Sequence, residues 1–377
     1  MILCRSLGVG GTERQIIILA KGLRQRGHRV GVLVFYGGGE LEHELHEQNI
    51  PVFDMHKTGR WDTVPFLFRC AQAARRFKPT VLYGFLATPN LLGLLLKTVV
   101  ARIPIVWGVR ASNVDLSHYD WLSRLVFRAE CGVSSFADLI ICNSRAGLEY
   151  VAAHGFPRRN MIVIPNGIDV DRFRPDAALR VAVRREWSIA RNEILIGLVG
   201  RLDPMKDHAT FFQAAALLSK RRYNLRFVCV GDGPEPYKSL LFRIANDLGL
   251  TANLIWAGDR RDMSAVYNAL DISVSASCTE GFSNTIAESM SCGVPCVVTD
   301  VGDSAHIVGH SGEIVPPHAP AVLAEALDRM LLRLNSELSK SGRDRVDSQF
   351  SVDALILRTI DALYSVTRSE HSDADRG

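Results

Sequence analysis

Short runs of β-branched and apolar residues recur along this chain between longer segments with helical spacing, and the rhythm occurs twice. In the first half the runs are Val30 to Phe35, Thr80 to Tyr83, Ile103 to Trp107, Leu139 to Cys142 and Met161 to Ile164. In the second half they are Ile194 to Val199, Arg226 to Val230, Leu254 to Ala257, Ile272 to Ala276 and Cys296 to Thr299. Apolar runs without polar alternation are what a parallel strand buried on both faces requires, and the helical gaps (Ile16 to Arg26 and Phe66 to Phe77, for example) supply the crossovers. The predicted class is therefore α/β. At 377 residues the chain is too long for one ordinary core, so the pattern predicts two facing, doubly wound Rossmann-like domains with a ligand cleft between them. The linker Pro165-Asn166-Gly167-Ile168-Asp169 sets the expected boundaries at 1–168 and 169–347. A helix over 348–368, with its amphipathic stretch from Val352 to Leu363, is expected to pack back on the first domain, and 369–377 reads as a disordered polar tail.

Charge is unevenly distributed. Residues 1–170 carry 20 Lys and Arg against 13 Asp and Glu, while the whole chain is only +4. A basic half that includes Arg24, Arg26, Arg29, Arg75, Arg76 and Lys78 suits an anionic partner such as a membrane surface or a lipid-linked phosphate, and equally an ordinary solvated helix face. The eight cysteines form no C-x-x-C pair, and Cys142, Cys229 and Cys296 lie inside apolar strands as small hydrophobes. A reducing cytosol is the expected location. No signal peptide is evident, and the apolar run from Leu91 to Val100 is too short to span a bilayer; it predicts a buried helix, compatible with contact at a membrane surface. No nucleic-acid partner is expected.

The stretch from Glu280 to Glu288 follows the predicted strand Ile272 to Ala276 and runs into a helix that closes before Gly293-Val294-Pro295. A loop at the carboxyl end of a parallel strand, with a helix N-terminus behind it, is a natural seat for phosphate. Gly281 lets the backbone approach a ligand, Ser283 is the expected N-cap, and Glu288 in the second turn can accept from a ribose diol. On spacing alone two glutamates are equally well a solvated loop residue and a surface helix residue. Gly200-Arg201-Leu202-Asp203-Pro204-Met205-Lys206-Asp207 follows another strand and offers two cations for a diphosphate; the plain alternative is a surface loop with Lys206 paired to Asp207. Gly231-Asp232-Gly233-Pro234 reads as a tight turn, and Gly8 to Arg14 as a glycine-rich helix start that matches neither a dinucleotide fingerprint nor a Walker A loop.

Taken together, Gly10-Gly11-x-Glu13-Arg14, Gly200-Arg201 with Lys206, Val230-Gly231-Asp232-Gly233-Pro234 and the E-x7-E stretch resemble the retaining glycosyltransferases of family 4, which have the GT-B fold. The resemblance covers nearly the whole chain. It implies transfer of a sugar from a nucleotide-sugar donor, UDP most often and GDP or ADP otherwise, to a glycan or polyprenyl-linked glycan acceptor in surface polysaccharide assembly. It implies that Arg201 and Lys206 bind the diphosphate, that Glu288 holds the ribose and that Glu280 contacts the donor sugar. Backbone N–H groups over Gly281, Phe282, Ser283, Asn284 and Thr285 would touch sugar and phosphate, and Gly11 would let the first domain close on the diphosphate. Glu280, Arg201 and Lys206 are the expected catalytic set, with no metal and no added cofactor, in a cytoplasmic enzyme peripheral at the inner membrane face.

Two departures stand out. Where many relatives carry a His, this chain has Arg110-Ala111-Ser112-Asn113, which makes Arg110 an acceptor-side candidate as an anion or sugar contact, and equally a plain loop cation. Only Met1 to Leu7 precede the glycine loop, which predicts a shortened central strand or a start assigned too late. The rival readings are a nucleotide-sugar epimerase, for which His306 and His310 would be the acid–base candidates, and a catalytically silent sugar-binding protein.

Overall fold

The computed structural model describes residues 1–59, 61–99, 103–110 and 121–374. The chain divides into two compact units, 1–167 with 352–377, and 168–351.

The first unit is built on a seven-stranded sheet of order β3-β2-β1-β4-β5-β6-β7. Its strands are β1 (Ile2–Cys4), β2 (Val32–Val34), β3 (Val52–Asp54), β4 (Leu82–Phe85), β5 (Ile105–Val109), β6 (Leu139–Cys142) and β7 (Met161–Val163). All neighbours pair in parallel, with Ile2 opposite both Val32 and Tyr83. Strand β1 has three residues, as do β2, β3 and β7, and it lies fully buried among the five inner strands. One face carries helix Gly11–Gln25 and the C-terminal helix Val352–Ala374. These two pack closely because Gly22 has no side chain; a Cβ there would lie 2.6 Å from Ile356. The Gln15 amide donates to Gly167 O at 2.9 Å and accepts from Gly167 N at 2.8 Å, which fixes where the chain leaves the unit. The opposite face is covered by helices that include Thr63–Phe77, Ala87–Lys97 and Arg145–Ala153.

The second unit has a six-stranded parallel sheet of order β10-β9-β8-β11-β12-β13. The strands are β8 (Ile194–Val199), β9 (Leu225–Val230), β10 (Leu254–Gly258), β11 (Ile272–Ser275), β12 (Cys296–Thr299) and β13 (Gly312–Val315). Its two apolar layers centre on Phe211, Phe212 and Phe227 on one side and on Tyr267, Ile286 and Phe350 on the other.

Several sequence expectations shift. Strands β3 and β13 were not anticipated; both are edge strands of three or four residues, only partly buried, so their apolar signal is weak. The first helix begins at Gly11, ahead of the segment from Ile16 read as helical, so Gly11 to Arg14 form its opening turn. The C-terminal helix begins at Val352 and continues to Ala374, through residues read as the start of a disordered tail. Leu91 to Val100 falls largely in helix Ala87–Lys97, with Leu92 and Leu96 buried and Leu95 exposed; Val100 lies outside the described residues. Among the described residues no helix is long and apolar enough to cross a membrane.

Candidate active site

In the second sheet β8 and β11 are neighbours although two strands, β9 and β10, lie between them in sequence, so the strand order reverses between them. Loops leaving the carboxyl ends of two such strands diverge and open a crevice. The loop after β8 is shaped by Asp203, whose Oδ1 accepts from Met205 N at 2.9 Å and caps the 3-10 turn Pro204–Lys206. That turn sends the Lys206 side chain over Gly200 to Glu280, in the loop after β11. Lys206 Nζ donates to Glu280 Oε1, and Ser277 Oγ donates to the same oxygen at 2.8 Å. The Glu280 side chain is only 12% exposed, so these two donors replace hydrogen bonds that burial takes from water. The two loops are also joined through the backbone, Cys278 N to Met205 O at 2.8 Å, and Thr299 Oγ1 donates to Ser277 O at 2.6 Å from β12.

Two glycines hold these loops at close range. Gly231 (φ +138°) follows β9, and a Cβ there would lie 2.1 Å from Gly200 O. Gly302 (φ +57°) follows β12, and its Cβ would lie 2.2 Å from Glu280 O. Asp303 N donates to Gly281 O at 3.0 Å beside it. Gly302→Ala therefore incurs both the left-handed backbone penalty, about 1 kcal/mol, and a backbone collision that pushes Glu280 out of place. Gly249→Ala is the matched control, because Gly249 has φ +70° with nothing within 4 Å. We expect a loss of kcat above about tenfold for Gly302→Ala and near parental activity for Gly249→Ala, a split in line with the cost of misplacing a reacting geometry. Equal activity losses would remove the positioning role of Gly302.

Behind the loop, Glu288 lies in helix Asn284–Ser291, where its Oε2 accepts from Tyr267 Oη at 2.8 Å. Tyr267 is fully buried, and burial with the adjacent Glu288 pushes its hydroxyl well above the ordinary range, so it remains a donor. Ser283 occupies the N-cap position but does not cap; its hydroxyl is 3.1 Å from Thr285 Oγ1. His208, next to Asp207, is fully buried with neither ring nitrogen hydrogen-bonded, and burial followed by the Lys206 charge holds it down at about 4. It is neutral at pH 7.

In the first unit the strand order reverses between β1 and β4. A cavity of about 310 Å³ opens there, lined by Arg5, Glu13, Tyr36, Phe85 and Leu86 among others. Leu86 has φ 72° and ψ 166°, a region that ordinarily only glycine enters. Arg110, at the carboxyl end of β5, is no loose loop cation: it stacks 4.8 Å over Phe85 and donates to Asn166 Oδ1 at 2.6 Å. Ala111, Ser112 and Asn113 lie outside the described residues.

Two sequence families account for most of the chain. Residues 9–172 match the model described as Glycosyltransferase Family 4, and residues 193–333 match Glycosyl transferases group 1. The chain belongs to glycosyltransferase family 4. It is 28% identical over 181 residues to a putative glycosyltransferase, EpsF, of Bacillus subtilis, covering 48% of this chain and 46% of the relative. It is 30% identical over 193 residues to the UDP-Gal:alpha-D-GlcNAc-diphosphoundecaprenol alpha-1,3-galactosyltransferase of Escherichia coli, covering 50% and 48%. The chain thus spans about half the length of these curated relatives. The structure of Anabaena Alr3699/HepE in complex with UDP superposes with a TM-score of 0.84 over 97% of this chain and 99% of that one, at 22% identity. This likeness establishes the GT-B fold, each unit being one of its Rossmann-like halves.

In this family 4 chain the structure brings Lys206 and Glu280 into contact and seats Glu288 in the helix behind them. Lys206 does not pair with Asp207, the plain alternative from sequence. Arg201 reaches outward, 72% exposed, against Asp203 Oδ2 at 2.9 Å. Phe282 is buried and packs on Phe350, so only its backbone is left to face a ligand. Gly11 opens helix Gly11–Gln25 in the first unit. His306 is half-buried and packs edge-on against Phe350 at 5.8 Å, while His310 is exposed in a 3-10 turn. Sequence reasoning missed Tyr267, Ser277, His208 and Gly302. Of these, Gly302 stood in the stretch Ser291 to Gly302 that continues the family pattern, and only its close approach to Glu280 went unread.

Proposed function

We propose that this protein transfers a sugar from a nucleotide-sugar donor, a UDP-sugar above others, to a glycan or lipid-linked glycan acceptor with retention of configuration. The observation that carries the reading is the Lys206–Glu280 pair at the reversal point between β8 and β11. A diphosphate needs cations, and Lys206 retains further N–H donors beyond the one given to Glu280. Arg201 is the second cation. Together they neutralise the leaving nucleotide as the glycosidic bond breaks, which is what a metal does in other transferases. Glu280 orients the donor sugar through its hydroxyls, Glu288 holds the ribose with Tyr267 fixing its other oxygen, and the backbone from Gly281 to Thr285 lies along sugar and phosphate. The acceptor hydroxyl attacks on the face the nucleotide leaves and passes its proton to the departing phosphate oxygen. Glu280 then positions and stabilises without becoming a nucleophile.

The Escherichia coli relative is named for a UDP donor and a diphosphoundecaprenol-linked acceptor, which supports both choices. On the acceptor side we assign the cavity at β1 and β4, with Arg110 stacked on Phe85, one of its lining residues. Peripheral association with a membrane is supported by exposed Trp61, Val64 and Phe68 at the start of helix Thr63–Phe77, and by exposed Trp121 and Leu125 with Arg124 and Arg128 on helix Trp121–Val133. Apolar side chains interleaved with cations suit an anionic bilayer surface.

One assay series tests donor and acceptor. UDP-, GDP- and ADP-sugars are offered with polyprenyl-diphosphate-linked glycans on anionic vesicles, and the product anomer is read by NMR. We expect turnover with a UDP-sugar, the donor's anomeric configuration kept, and cosedimentation with the vesicles that Trp121→Glu weakens. A donor at 100 times its dissociation constant should also stabilise the second unit by about 2.7 kcal/mol. Isomerised donor without acceptor, or no release of nucleotide from any donor, overturns the reading.

A further inference from the structure

We propose that Asp207, Cys278 and His318 form a binding site for a zinc-like divalent cation at the strand ends of the second unit. Three separate loops supply the ligands: Asp207 ends the loop after β8, Cys278 lies in the loop after β11, and His318 follows β13. One carboxylate oxygen, one imidazole nitrogen and one thiol sulfur all lie within 4.8 Å of one another. Among the described residues this is the one group of His, Cys, Asp and Glu so arranged. Zinc bond lengths of about 2.0–2.3 Å at tetrahedral angles place ligand atoms roughly 3.3–3.7 Å apart, so small side-chain adjustments close the triad. Sulfur, nitrogen and oxygen in one set favour zinc over magnesium or calcium, which take oxygen alone. With three protein ligands, the fourth tetrahedral position is left to water.

The surroundings are those of a prepared site. His318 Nδ1 already lies 2.8 Å from Asp207 Oδ2, and the carboxylate is oriented by Thr210, through its N–H at 3.1 Å and its Oγ1 at 2.7 Å. Ligands oriented by such outer partners lose less freedom on binding. His318 adopts φ +55° and Asp207 φ +45°, the left-handed region that side chains rarely enter, so the fold holds both ligands in place at a backbone cost. Binding replaces the thiol proton by the metal and releases that proton to solvent. Asp207 adjoins Lys206, and Cys278 is two residues from Glu280, so an ion here would clamp the two loops that carry the ion pair. The inference concerns binding and does not depend on the transfer reaction.

The test uses the full chain, stripped with chelator and titrated with Zn²⁺ and with Co²⁺ as a spectroscopic probe. We expect tetrahedral cobalt bands with a thiolate charge-transfer band, an upward shift in Tm on adding Zn²⁺, and at least tenfold weaker binding in Cys278→Ser and in His318→Gly. The cobalt sulfur band should vanish in Cys278→Ser and persist in Cys131→Ser, which removes another half-exposed thiol. His318→Gly relieves backbone strain, so it reports on ligation even if Cys278→Ser folds poorly. A cobalt spectrum lacking the sulfur band, or affinities unchanged in both variants, overturns the site and leaves the His318–Asp207 contact as a simple loop tether.

Discussion

Replacing Glu280 by Ala is expected to lower kcat by about 10²–10³-fold while the affinity for free nucleotide changes by no more than a few fold. The magnitude is that of removing one preorganised electrostatic contact from a reacting centre. The split between the two readouts follows from the geometry. Glu280 Oε1 is taken by Lys206 and Ser277, and removing the carboxylate frees Lys206 to give more of its hydrogen-bonding capacity to phosphate. Steady-state kinetics together with calorimetry on the nucleoside diphosphate check this directly. Glu280→Gln separates charge from shape, since an amide can still accept from Ser277. Activity within a few fold of the parent protein in Glu280→Ala would leave Glu280 as a tether for Lys206 and no more.

The second large effect is expected at Lys206, and with the opposite signature. Lys206→Met removes a charge-assisted contact to the diphosphate, worth about 1.5–3 kcal/mol, so nucleotide affinity should fall by roughly 10- to 150-fold. It also leaves a mostly buried carboxylate without its cation, pointing toward anionic phosphate. The double variant Lys206→Met with Glu280→Gln should therefore recover part of the lost nucleotide binding, because the uncompensated charge is gone. Such coupling between touching residues is what a double-mutant cycle detects. Strictly additive losses would mean that the pair does not act as a unit toward the donor. Lys206→Arg is a further comparison: the longer, planar guanidinium cannot reproduce a point-charge contact over Gly200, and partial function is the expected result.

How much of this was legible in the chain depends on how local each signal is. Strands β8, β11 and β12 were readable because a parallel strand covered on both faces must be apolar throughout. The edge strands β3 and β13 were not, since half of each faces away from the core and Asp54 and Glu313 interrupt the pattern. The catalytic candidates were found as loops following strands, a purely sequential property. Their pairing was not, because Lys206 and Glu280 are 74 residues apart and meet only through the order in which the strands are laid side by side. Ser283 shows the limit in the other direction: its position at the helix start was right, and its hydroxyl turned to Thr285 instead of to the backbone.

The sequence by itself determined the α/β class, the two-part organisation, the family and the residues worth naming, because periodicity, linker composition and motif order are written in consecutive residues. Only the tertiary structure decided which cation meets which carboxylate, that Tyr267 stands behind Glu288, that Gly302 must be a glycine so that Glu280 can sit against it, and that Asp207, Cys278 and His318 converge. Those outcomes depend on strand order and close backbone approach, which bring together residues whose local sequence carries no record of one another.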